Sequence, residues 1–194
     1  MALPSVQTIG AGTPNTVTGG ILVAPLGTTL PTTAAAAPNA AFKAFGYISE
    51  DGVKPQGERT VNPIKDWNAD DIAELQTGHS VRFGFTTYAY WDSDVVKEIY
   101  GEDFVTVTAP TVSTGTLITI EETGAVLPLR SWILDVAQNA RKKRSVLPNA
   151  KISEVSERPW VAGELLGFQV VVSAFKDAAG RKAYHYLDDG VFAP

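Results

Sequence analysis

The sequence predicts a mainly β fold, a sandwich or barrel with one short α-helix near residues 93–100 and long loops. Three observations lead there. Val81, Phe83 and Phe85 alternate with Arg82, Gly84 and Thr86, the period-two pattern of a strand with one buried face. After Phe104, short β-prone runs recur between turn residues at the spacing of a sandwich or barrel. Asp92 to Gly101 carries a helix start and a helix stop only about two turns apart.

Taken in order, residues 1–41 are rich in Gly, Pro, Thr and Ala and read as an arm and loop region, with Ile21-Leu22-Val23-Ala24 as a short strand. Residues 42–194 read as a single β-rich domain. Phe42, Phe45, Tyr47 and Ile48 suit a half-buried strand, and Glu50-Asp51-Gly52 supplies turn chemistry after it. Residues 53–68, with Pro55, Gly57 and Pro63, read as an exposed loop in which Trp67 is a satellite of the core before it is a contact anchor. From Asp70 to Gln76 the alternation is imperfect, with Asp70, Ile72, Glu74 and Gln76 on one face and Asp71, Ala73 and Leu75 on the other. The helix follows: Asp92 or Ser93 caps it, the acids favour its positive end, and Gly101 suits its C-terminal turn. Strands are then expected over Phe104–Thr108, Thr116–Ile120, Trp132–Gln138, Ser145–Leu147 and Phe168–Phe175, with Lys182–Leu187 closing a hairpin across Asp177-Ala178-Ala179-Gly180.

Composition narrows the function. At 194 residues, 44% hydrophobic and 19% charged, the chain has ordinary globular make-up and length for one sizeable core. A net charge of −5 argues against a surface devoted to gripping nucleic acid. With no cysteine there is no disulfide framework, thiol nucleophile or thiolate metal site. Neither a signal peptide nor an eighteen-residue apolar span is visible, so no membrane role is expected.

Little catalytic chemistry is on offer. His79 and His185 read as structural or surface residues, because no Gly-x-Ser-x-Gly elbow accompanies them and their separation makes no local metal motif. Asp92-Ser93-Asp94 lacks the remainder of a calcium loop, and no phosphate or dinucleotide loop is present. No enzyme activity, cofactor or metal is expected. Arg141-Lys142-Lys143-Arg144 is the sharpest charge feature; without interleaved aromatics it reads as a solvated turn or a protein contact.

Several phrases fall in a telling order: Phe45-Gly46-Tyr47-Ile48-Ser49-Glu50-Asp51-Gly52-Val53, Ile64-Lys65-x-Trp67, the alternating strand leading to a helix that ends Ile99-Tyr100-Gly101, Leu147-Pro148-Asn149-Ala150, and Tyr184-x-Tyr186-Leu187-Asp188-Asp189. In that order the chain resembles the major tail protein, the tail tube subunit of long non-contractile-tailed bacteriophages, especially the family in phages of actinobacteria. The resemblance implies a tail-tube-like β-sandwich or barrel whose hexameric rings stack into a tube delivering DNA to the host. It implies self-association, tape measure, tail tip and tail terminator partners, phage DNA passing without specific binding, assembly in the host cytoplasm and a final place in the virion tail. It also favours an N-terminal arm that orders on a neighbouring subunit.

Four strands per subunit in a continuous wall would give about 24 strands at roughly 4.8 Å, a circle of roughly 37 Å before tilt widens it. The expected lumen-facing residues are Asp70, Glu74, Gly84 and Thr86, with Arg82 pairing Glu74 across strands. Between rings, Arg141, Lys142, Lys143 and Arg144 are expected to meet acidic loops such as Glu50-Asp51 or Glu121-Glu122. The competing reading is a monomeric β-sandwich that binds carbohydrate or protein through Trp67, Trp91 or Trp160.

Overall fold

The structure, a computed structural model, describes residues 10–15, 19–156 and 160–191. Parts of the expected arm, residues 1–9 and 16–18, therefore lie outside the described residues. The strands are β1 (Ile21–Pro25), β2 (Lys43–Ala44), β3 (Lys54–Lys65), β4 (Asp71–Thr87), β5 (Val105–Thr108), β6 (Leu117–Ile120), β7 (Arg130–Gln138), β8 (Arg141–Ser156), β9 (Phe168–Phe175) and β10 (Tyr184–Asp188). The helix α1 (Ser93–Tyr100) lies between β4 and β5. The fold is mainly β and every described ladder is antiparallel.

β8 joins two halves of the main sheet. Its first half pairs β7 on one side and, through Lys142–Val146, β10 on the other, extending a group that runs β2-β1-β7. Its second half, Asn149–Ser156, pairs β9, which leads on through β4 to β3. Apolar side chains from both halves enter one core: Ile21 and Val23, Trp132 and Leu134, Leu147 and Ile152, Val170 and Val172, Phe83 and Phe85. Phe45 lies at its centre, 5.0 Å from the Trp132 ring and 5.8 Å from Phe85 in an edge-to-face contact. Truncating such an aromatic to alanine costs about 3–5 kcal/mol.

α1 closes one side of this core with Val95, Val96 and Ile99. Asp92 Oδ1 accepts from the Asp94 and Val95 N–H groups, and the Gly101 N–H returns to the Lys97 carbonyl, so the expected caps are both made. Arg130 ties the helix to β7, donating from Nε to Glu98 at 3.0 Å. Burial nevertheless pushes the Glu98 carboxyl upward, outweighing the opposing pull of Arg130.

Several expectations change. The short strand expected at Ile21–Ala24 is present as β1, but it is interior and not part of a loose arm, and its continuous apolar run is explained by cover on both faces: Ile21 and Val23 meet the main core, while Leu22 and Ala24 meet a second cluster with Phe42, Ile133 and Val146. Residues 53–68 are no loop but mostly β3; Pro55 and Pro63 are tolerated because β3 pairs on one side only. The runs Asp70–Gln76 and Val81–Thr87 merge into β4, and the pairing slips between Thr60–Gly78 and Val61–Gln76, leaving Thr77 as a bulge. The strand expected over Phe42–Ile48 shrinks to β2 plus a bridge from Ile48 to Thr87, because Gly46 turns the chain at φ 78°. Arg141–Arg144 is not a turn but the start of β8, paired with β7 throughout and with β10 from Lys142 on.

Candidate functional site

The strand order β8-β9-β4-β3 ends in two edges. Among the described residues, nothing pairs the outer side of β3, and β7 leaves β8 after Ala150, so the outer side of Lys151–Ser156 is also unpaired. Such edges are a standing invitation to another chain. One face of these four strands packs on the core through Phe83, Phe85, Val170, Val172 and Ile152. The register defines the opposite face in rows: Lys151, Ser173, Arg82 and Gln56; Glu154, Val171, Gly84 and Lys54; Ser156, Gln169 and Thr86. Small and polar groups dominate it, and Ser153 and Ser173 share a 2.7 Å hydrogen bond there.

Of the lumen candidates, Gly84 and Thr86 lie on this polar face, both buried within the subunit. Asp70 and Glu74 do not. Asp70 sits in the β3–β4 turn, and the Thr77 bulge puts Glu74, opposite Pro63, on the side of the strand that carries Phe83. Arg82 therefore cannot face Glu74 across strands, since both belong to β4; its partner position is Gln56. The charged members of the face are Lys54, Arg82, Lys151 and Glu154, a mixed set instead of an acidic one.

Beyond Gly57 and Val81, β3 and β4 leave the body as an arm whose side chains are exposed to its tip. Ten residues of strand at about 3.3 Å each carry it roughly 33 Å. Asp66 orders the tip by accepting from the Asn68 and Asp70 N–H groups, and Lys65 pairs Asp71 at 3.1 Å. Trp67, expected as a core satellite, is fully exposed there at 101% relative accessibility. Val61, Ile64, Ile72 and Leu75 are also exposed along the arm. Exposed apolar groups on a long two-stranded arm are what an intermolecular contact needs and a monomer does not.

The basic run splits. Lys143 is exposed and Arg141 and Lys142 are half-buried, but Arg144 is buried and engaged with Asp135, so its guanidinium is not available to a neighbour. Strand alternation is the reason: Arg144 and Lys143 leave β8 on opposite faces. Glu50, Asp51, Glu121 and Glu122 are exposed, with Asp51 3.4 Å from Lys54.

Residues 11–194 match the family model of the phage tail tube protein. The chain belongs to that family. No curated protein matches the sequence at a significant level. Membership makes this a structural component of a virion tail that self-assembles into a tube, and the tail tube family is structural, not enzymatic. The histidines fit that role. Ser145 Oγ lies 2.9 Å from His185 Nδ1, but burial first and then the charge of Lys143 lower the imidazole pKa and disfavour the imidazolium a general base must form. No cluster of metal-ligating side chains occurs among the described residues, and no described helix is long and apolar enough to cross a membrane. For a tail tube protein the functional groups are edges, faces and arms. Sequence reasoning missed the arm; its signal was the alternation of Val61 and Pro63 with Asn62 and Ile64 opposite Leu75 and Ala73, masked by the two prolines.

Proposed function

We propose that this tail tube protein forms six-membered rings in which the outer edge of β3 in one subunit joins the outer edge of Lys151–Ser156 in the next, and that these rings stack into a non-contractile tube conducting phage DNA into the host. The observation that carries the reading is the four-stranded segment β8-β9-β4-β3 with an unpaired edge at each end. Edge joining around a closed ring satisfies the backbone groups and removes the aggregation hazard together. Six copies give about 24 strands and a circle of roughly 37 Å before tilt.

In that ring the polar face lines the bore, with Gly84 and Thr86 among its small residues and Arg82, Lys54 and Lys151 set against Glu154. With three bases to one acid per subunit the wall attracts phosphates without reading sequence, and that attraction is expected to weaken as salt rises. Arg141, Lys142 and Lys143 meet Glu50-Asp51 or Glu121-Glu122 of the adjoining ring. Tape measure, tip and terminator proteins set the length and ends of the tube, which assembles in the host cytoplasm.

Electron microscopy of the purified protein across concentration and salt, with light scattering for mass, is expected to give hollow rings or tubes with sixfold end views. Amide hydrogen exchange then locates the joint: protection is expected to rise at Lys54–Glu58 and Lys151–Ser156 on assembly. Equal exchange in free subunit and tube at both edges refutes edge joining. A monomer persisting at every concentration and with added tail tips favours the ligand-binding sandwich.

A further inference from the structure

We propose that the tip of the β3–β4 arm is a plug and that a basic hollow at the base of the same arm is its socket, so that the arm of one subunit docks into the hollow of a second copy of this chain. The inference rests on the tube reading above and names a contact within it. The hollow is an open depression of about 350 Å³ between the β9–β10 turn and the arm base. Its lining includes three cationic side chains, Lys176, Arg181 and Lys182, and two imidazoles, His79 and His185. In a chain of net charge −5 this is a concentrated local exception.

The hollow is held open by its own contacts. Lys182 Nζ donates to the His79 carbonyl, which fastens the turn to β4. Arg181 stands over the Tyr184 ring with its guanidinium carbon 5.7 Å from the centroid. Asp177, in the same turn, is occupied: it accepts from the Tyr184 hydroxyl at 2.6 Å and from the Ala179 and Arg181 N–H groups.

The arm tip is the complement. Between Lys65 and Asp71 it carries Asp66, Asp70 and Asp71 against Lys65, three acids to one base, around the fully exposed Trp67. An indole flanked by carboxylates suits a cavity walled by cations, because the ring face attracts guanidinium and ammonium groups while the carboxylates pair them. Trp is also the residue type most often found carrying the energy of such contacts.

The tip cannot fill its own socket. His79 and Asp71 lie eight residues apart along one extended strand, roughly 26 Å. The contact is therefore head-to-tail between copies, the heterologous kind that closes a ring or propagates a stack. The exposed basic run beginning β8 is a weaker acceptor, since it lies along a strand and offers no concavity for the indole.

The chain has no cysteine, so introduced thiols report this contact cleanly. One pool of full-length protein carries Asn68→Cys and a second carries Lys176→Cys; they are mixed and mildly oxidised, with Val112→Cys, on an exposed loop, replacing the second pool as control. The expected result is a disulfide-linked heterodimer at least about tenfold more abundant with Lys176→Cys than with Val112→Cys. Adding Asp70→Lys to the first pool or Arg181→Glu to the second should each lower the yield about tenfold, and adding both should restore it. Equal yields in the two pairings, or loss without restoration, overturn the plug and socket. Light scattering of the unmodified protein, alone and with added tail tips, separates the two failures: assembly without the cross-link rejects only this contact, while neither assembly nor cross-link under either condition rejects the tube reading with it.

Discussion

Replacing Arg144 by methionine tests the most consequential interior contact in the fold. Its Nε and Nη2 donate to the two carboxylate oxygens of Asp135 at 2.6 and 2.7 Å, and both residues are 3% exposed. Nη1 donates to the carbonyls of Thr33 and Ala36, holding the segment after β1 against the sheet. Arg144→Met leaves Asp135 charged and buried, a loss of about 3–5 kcal/mol. For a domain whose total stability is about 5–15 kcal/mol, that is about a fifth of the whole or more. The double variant Arg144→Met with Asp135→Leu removes both charges and leaves the Thr33 and Ala36 carbonyls short of a donor, about 1–3 kcal/mol. The single variant should therefore be less stable than the double. Urea unfolding, followed by tryptophan fluorescence and with the slope fitted freely, measures both. A single-variant loss below about 1 kcal/mol, or a double variant at least as unstable as the single, would refute the reasoning.

Gly46→Ala should cost about 2–4 kcal/mol in thermal or urea unfolding, since φ is 78° and a Cβ would stand 2.3 Å from that of Ala89. Asp92→Ala removes the acceptor for two N–H groups at the start of α1 and should cost about 1 kcal/mol by the same measurement. Burial and then Lys143 hold the His185 pKa below 6.5 in the folded state, so the unfolded chain binds more protons as pH falls below about 6.5. Stability should thus be full above that pH and decline as it falls toward the depressed folded value; His185→Gln should flatten that part of the stability profile. Arg141→Glu with Lys142→Glu should weaken tube assembly and change its salt dependence, and unchanged scattering across a salt series would remove these residues from the inter-ring contact.

What the sequence disclosed depended on whether local pattern and tertiary role coincided. They coincide in α1, where Asp92 and Gly101 act as caps within their own segment, and in part in Val81–Thr87, where Phe83 and Phe85 enter the core as read although Gly84, Thr86 and Thr87 are buried too. They part at β3, whose prolines argue against a strand unless one edge is known to be unpaired, and no local pattern says which edge that is. They part again at Thr77. One inserted residue exchanged the faces of the preceding half of β4, removing Glu74 from the polar face on which Gly84 and Thr86 lie. The same rule divided the basic run, sending Arg144 inward to Asp135 and leaving Lys143 exposed.

These departures have one physical origin. A subunit built to be completed by its neighbours carries edges, an arm and exposed apolar groups that make no sense as parts of a monomer. Sequence rules calibrated on self-sufficient domains assign Trp67 to the core because a lone domain has nowhere better to put it. In the subunit it stands at the end of roughly 33 Å of exposed hairpin, among three aspartates, where only a second chain can bury it. The cost of leaving that indole in water is modest for one subunit, and in the proposed plug-and-socket contact its burial would repeat along the tube, so stability withheld from the monomer would become cooperativity in the polymer.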